Sequence, residues 1–212
     1  MTAQMKDKFI FRRREYTVSA VEDPDDLINI HALGFNPSMF STACYRGYIA
    51  GFSIYKNSLA LKNLYTNNGS DLKNSAPVLN KTSPRIIIKE TWPEEVKKQR
   101  REFVYENINL KIQYTGSVLI TKDFIQDKYV HMGFQSPINY ENIIQLTFDN
   151  GLLILERDFS QTAKLIREKK LDVPKEDRNI FAWIDDCFDI SYSSKANDLA
   201  CENTGLSTGN EP

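Results

Sequence analysis

A chain of 212 residues with 41% hydrophobic and 26% charged side chains has ordinary globular proportions and enough apolar mass for a sizeable core. Its 27 basic and 28 acidic residues leave a formal net charge of -1, which sets up no global field to draw in a phosphate backbone or an anionic membrane, so nucleic acid is not the default partner. No stretch approaches the roughly 18 consecutive apolar residues of a membrane span, and "MTAQMKDKFIFRRREYTV" lacks an apolar signal core with a small-residue cleavage site, so a cytoplasmic location is expected.

The first element reads as a hairpin. "KFIFRRREYTVSAVE" places Phe9 and Phe11 on one strand face and Tyr16, Val18 and Ala20 on one face of the return, with the basic run Arg12, Arg13 and Arg14 at the turn. "DPDDLINIHALG" then carries a cap at Asp23, Pro24 at the first helical position and Gly34 as terminator, which predicts a short helix with His31 in its last turn. Two strands follow, over about 44–55 and 58–65, turned at Lys56, Asn57 and Ser58, with Ile54, Leu59, Leu61 and Leu64 facing the core. Residues 66–84 have no apolar period and read as a long loop.

"RIIIKE" reads as a buried strand, and "ETWPEEVKKQRREFVYE" as a helix with Pro93 near its start. Lys97, Lys98, Arg100 and Arg101 on that helix can touch phosphate, yet Glu94, Glu95 and Glu102 pair with them at helical spacing, so a solvated face is the plainer reading. A second strand-rich stretch comes next, in which Asn150-Gly151 between alternating apolar runs is the strongest hairpin signal in the chain. A helix capped by Asp158 or Ser160 offers Phe159, Ala163 and Ile166 to a core. "RNIFAWIDDCFDI" is apolar enough for a last element of open type, and residues 191–212 are expected to be a disordered tail.

The fold class predicted is α+β, mainly β: roughly ten strands in an antiparallel two-sheet or barrel-like core with three or four short helices, forming a single domain over 1–190. Two strand-rich halves, about 8–65 and 108–158, share the order hairpin, Gly-Phe step with a nearby proline, hairpin, as an internal repeat would. The second half's opening hairpin is placed at 108–121. The chain has two histidines, and both stand just upstream of such a step, at Gly34-Phe35 and Gly133-Phe134.

"STACYRGY", "YTGSVLITKDFI" and "YVHMGFQSPINYENIIQLTFDNG" resemble a family of uncharacterised bacterial proteins, in which a Trp is expected where Tyr45 stands here. The resemblance implies one shared architecture over most of 8–170 and carries over no catalytic residue.

Familiar catalytic grammar is missing: no GxGxxG, GxxxxGK or GxSxG occurs. Cys44, Cys187 and Cys201 form no CxxC pair, so neither a disulfide framework nor a cysteine zinc site is indicated, and His31 and His131 lack ligand spacing. No metal and no cofactor are expected. The one enzymatic constellation the sequence offers is Cys44 as nucleophile with His131 as base and Asp123 or Asp127 orienting the imidazole. The binding candidates are Cys44, Tyr45, Arg46, Tyr48, His131 and Phe134, because aromatics interleaved with a guanidinium are what binding hot spots use. Arg46 decides between readings: pointing inward it needs a carboxylate or carbonyls, and pointing outward it is free to anchor a ligand. The leading expectation is a non-enzymatic cytosolic protein that binds a protein partner, in the manner of a bacterial toxin-immunity protein. The rivals are an enzyme or small-ligand cleft around Cys44, Arg46, Tyr48 and His131, and nucleic-acid binding through the helix carrying Lys97 and Arg101.

Overall fold

A computed structural model describes residues 3–23, 27–68, 76–90, 99–131 and 133–168. Period-two alternation builds its first elements. β1 (Lys8–Phe11) and β2 (Arg14–Val21) form the expected hairpin, turned at Arg12 and Arg13 with φ of 48° and 63°. Phe9, Phe11, Tyr16 and Val18 bury in the main core. A bulge between Val18 and Ala20 then rotates Ala20 to the opposite face, into a second apolar cluster, so the predicted single face of β2 is broken.

β3 (Tyr48–Tyr55) and β4 (Ser58–Asn67) form the second hairpin around Lys56 and Asn57, with φ of 51° and 60°. Leu59, Leu61 and Leu64 are buried as expected, together with Phe52. Burial of each such side chain contributes about 1.5–3 kcal/mol before entropy is counted. β3 begins at Tyr48 rather than at Cys44, because Gly47 (φ 68°) closes a turn over the preceding residues.

β5 (Arg85–Glu90) and β6 (Gln99–Tyr105) pair antiparallel, Arg85 opposite Val104 and Glu90 opposite Gln99. Here the predicted helix fails. Over 99–105 the chain is a strand, with Phe103 and Tyr105 packed in the core and Glu102 fully buried on the other face, where Lys89 of β5 holds it at 2.8 Å. Pairing to β4 and β5 overrides a locally helical charge pattern. Lys97 and Lys98 lie outside the described residues.

β7 (Leu110–Lys111), β8 (Gly116–Phe124), β9 (Tyr140–Asp149) and β10 (Leu152–Asp158) complete the sheet, and α1 (Ser160–Arg167) follows. The strand order is β10-β9-β8-β2-β1-β3-β4-β6-β5, and β7 pairs with β4. The sheet is mixed rather than purely antiparallel, because β1 and β3 run parallel. β10 meets β4 at a single pair, Leu152 with Ser58, so the sheet curls back on itself without forming two sheets or an evenly closed barrel. The core fills the inside of that curl. α1 covers the outer face, packing Phe159 and Ala163 on Ala20, Leu119 and Ile143. Its first amide, from Ser160, donates to Asp158 Oδ1 at 2.8 Å.

Three or four helices are not borne out. Among the described residues α1 is the one α-helix of any length; of the helix predicted from Asp23 to Gly34, residues 24–26 lie outside the described residues, Leu27 is helical, and residues 30–34 make turns. The hairpin expected at 108–121 does not form either: β7 pairs with β4, while β8 pairs with β2 and β9. That removes one member of the proposed repeat. Both Gly-Phe steps do place their glycine in the left-handed region, φ 89° at Gly34 and 67° at Gly133. The apolar run around 179–190 and the tail at 191–212 lie outside the described residues.

Candidate functional site

Residues 3–7, ahead of β1, hold the site together. They run between the turn that precedes β3 and the loop that precedes β9. The Met5 amide donates to Ala43 O at 2.7 Å and the Gln4 amide to Gly133 O at 2.9 Å. The Gln4 side chain donates to Thr42 O at 2.8 Å and accepts from the Tyr45 amide at 3.3 Å. Two blocks far apart in sequence, "TACYRGY" and "YVHMGFQ", thereby become neighbours.

Arg46 points inward. Its guanidinium forms a fork on Asp7, Nη1 to Oδ2 at 2.8 Å and Nη2 to Oδ1 at 3.0 Å, and Asp7 Oδ1 also accepts from the Ala50 amide at 2.7 Å. The planar group lies over the Tyr48 ring at 4.6 Å and near Phe134 at 5.9 Å. Burial alone lowers the Arg46 pKa, but the charge and hydrogen bonds of Asp7 outweigh it and hold the group above its ordinary value. This arginine is a structural fork rather than an open anchor. Cys44 is buried beside it, with Sγ donating to Tyr48 O at 3.4 Å. Burial pushes its thiol pKa up against the pull of Arg46, so the sulfur stays protonated at neutral pH.

His131 is exposed, its ring edge-on to Tyr129 at 5.2 Å. No hydrogen bond joins it to Cys44, and the carboxylate of Asp123 accepts from Asn142 at 2.7 Å instead of orienting the imidazole. The predicted Cys-His-Asp constellation is therefore not assembled. His31 donates from Nδ1 to Phe35 O, 3.1 Å away, as a local turn contact. Among the described residues no group of three or more His, Cys, Asp or Glu is placed to hold a metal.

The most unusual group is one the sequence reading passed over. The half-buried Lys6 donates from Nζ to Ser19 Oγ at 2.9 Å and to Gln135 O at 2.5 Å, over the Tyr140 ring at 4.9 Å. Ser19 Oγ lies 2.5 Å from Thr121 Oγ1. Burial brings the Lys6 pKa down to about 7 from its ordinary 10.5. Between those values the unfolded chain holds a proton that the folded chain lacks, so stability rises with pH across this window and the full penalty stands below it. From about pH 9 upward the raised thiol of Cys44 opposes the trend. Denaturant midpoints of the wild type are therefore expected to rise from pH 7 to about 9, and those of Lys6→Met to stay level. A variant that keeps the slope places its origin elsewhere.

The loop side is closed by Gln135, whose side chain accepts from the Val130 amide at 2.9 Å and donates to Val130 O at 2.6 Å. On these joined segments large apolar side chains face outward: Met5 at 49%, Tyr45 at 57%, Tyr129 at 46% and Val130 at 53% exposed. Of the predicted candidates, Cys44, Arg46, Tyr48 and Phe134 meet around the Asp7 fork, while Tyr45 and His131 stand on the surface above it. Among the described residues, no helix is long and apolar enough to cross a membrane. Compared with protein-family models, curated proteins and solved structures, the chain matches none.

Proposed function

We propose that the protein is a non-enzymatic binding protein, and that its contact face is the surface formed by Met5, Tyr45, Tyr129, Val130 and His131, with another protein as partner. The observation that carries this reading is the outward placement of large side chains on three segments that backbone hydrogen bonds lock together. Tyrosines held on a rigid support supply contact area at low entropic cost, as in the anchors of protein interfaces. An Arg46 fork engaged on the buried Asp7 and a protonated Cys44 favour scaffold over chemistry beneath that face. Neutralisation of a toxin-like partner, as bacterial immunity proteins perform, is the narrower form of the proposal. It is motivated by the balanced charge and by the resemblance of the two sequence blocks to bacterial proteins.

The test is retention of a partner from extract on immobilised protein. Tyr45→Ser with Tyr129→Ser and Val130→Ser is expected to reduce retention by about 100-fold, since each exposed anchor contributes about 1 kcal/mol or more. Cys44→Ala is expected to leave retention unchanged. Undiminished retention by the triple variant moves the contact face elsewhere.

A further inference from the structure

We propose that the outward edge of β5 takes an extended strand from another protein, apolar in its middle and flanked by acidic residues, as an added strand of the sheet. This surface shares no residue with the face that carries Tyr45 and Tyr129. The two ends of the sheet are built differently. At one end β10 is blunted: a bulge between Leu153 and Leu155 breaks its register, Leu152 pairs with Ser58 of β4, and Arg12 reaches from the β1–β2 turn to Glu156 at 2.7 Å. Such devices keep a sheet edge from adding strands. At the other end β5 pairs with β6 without a break from Arg85 to Glu90, and among the described residues no strand lies on its far side.

Side chains sharpen the contrast. Three successive isoleucines are the composition of a strand covered on both faces, yet Ile86 and Ile88 are 52% and 59% exposed. Ile86 stands opposite Phe103, so the two share a face; Phe103 packs in the core and Ile86 lies beyond it. A strand added beside β5 satisfies its outward amides and carbonyls and lays every second side chain on Ile86 and Ile88.

Charge selects the occupant. Around this edge Lys81, Arg85, Lys89 and Arg101 stand against Glu90 and the buried Glu102. Lys89 holds Glu102 at 2.8 Å, and among the described residues no carboxylate pairs with Lys81, Arg85 or Arg101. An apolar edge in a basic surround is the complement of an apolar strand with acidic flanks. A second copy of the chain fits less well. In a two-fold antiparallel pair centred on Ile87, Arg85 of each copy stands against Lys89 of the other, and like charges directly opposite are destabilising. Moving the centre to Ile86 or Ile88 sets Arg85 or Lys89 against Ile87 instead.

The test is fluorescence anisotropy on the full chain with a labelled peptide of about ten residues, alternating valine and threonine in its middle and carrying aspartates at both ends. A peptide with lysines in place of the aspartates is the comparison. The acidic peptide is expected to bind at least about tenfold more tightly at low salt, a difference that shrinks as salt screens the charges. Ile86→Thr with Ile88→Thr, which keeps β propensity at two exposed positions, is expected to weaken its binding about tenfold or more. On the wild type, methylating the peptide's backbone amides along one edge is expected to abolish binding, and along the other to leave it within about twofold, because an added strand uses one edge. The β5 amides that face away from β6 are expected to exchange fast in the protein alone and slowly with peptide. Equal binding of the two peptides, equal effects of methylation at either edge, or no binding overturns the proposal. So does a dimer in sedimentation that Ile86→Thr with Ile88→Thr dissociates, since the occupant is then a second copy. Slow exchange of those amides in the peptide-free monomer overturns it too, since the chain then covers its own edge.

Discussion

Replacing Arg46 by Met is expected to lower the free energy of unfolding by about 2–3 kcal/mol, which is roughly 5–10 °C in melting temperature for a domain of this size. The cost arises from what is left behind rather than from the guanidinium itself. Asp7 is buried and fixed by the Ala50 amide, so its carboxylate cannot turn to water when its two charge-assisted bonds are lost. The Arg46 side chain is about one-third exposed, which places the effect below that of a fully buried ion pair. Arg46→Lys keeps the charge but loses the fork and the stacking on Tyr48, and falls between Met and wild type. Combining Asp7→Ala with Arg46→Met is expected to cost less than the sum of the two single changes, because no unpaired charge then remains. Thermal and denaturant unfolding of the four proteins close the cycle. An Arg46→Met protein within about 0.5 kcal/mol of wild type means that Asp7 has found water, and the guanidinium is then available for a ligand after all.

The same residues show what a sequence reveals and what it hides. The β3–β4 and β9–β10 hairpins were legible because their information is local: alternating apolar residues on both sides of Lys56-Asn57 and Asn150-Gly151. β6 was not. Its short apolar signal, Phe103 and Tyr105, is outnumbered by charges at helical spacing, and what decides its form is pairing with β4 and β5. At the site, Arg46 and Tyr48 stood out as an aromatic and guanidinium block, and Phe134 as part of another, yet Asp7 and Lys6 read as a polar prelude to the first strand. Their partners lie 39 residues away for Asp7 and 129 for the carbonyl that Lys6 meets, separations over which no local pattern runs. His131 drew attention through its neighbours, Tyr129 above all, and stands on the surface with that ring rather than beside the thiol.

Gly151 carries the second large effect, and it joins a feature visible in sequence to one that is not. The Asn150-Gly151 turn requires left-handed backbone at both positions, φ 46° and 80°, which explains why this dipeptide occupies the hairpin. Strand closure adds a requirement that the hairpin alone does not make. The Gly151 amide donates to Tyr114 O at 2.7 Å, its carbonyl accepts from the Leu59 amide at 2.7 Å, and a Cβ at this position meets Ile112 O at 2.1 Å. The turn is therefore pressed against the segment that also bonds β4, just beside the Leu152 and Ser58 pair where the sheet curls shut. In Gly151→Ala the left-handed conformation costs about 1–2 kcal/mol, and relieving the backbone clash breaks one or both closure bonds, for a total of about 3–4 kcal/mol. Gly51→Ala is the control: its Cβ meets the Asn63 Cβ at 3.3 Å in the middle of a formed ladder, where a shift of a few tenths of an ångström relieves the contact. Hydrogen exchange is expected to separate the two, with Gly151→Ala exposing the amides of Leu59 and Ile112 while those of β8 stay protected. If Gly151→Ala costs only the turn term and leaves those amides slow, the curl is held by packing of the core rather than by the turn.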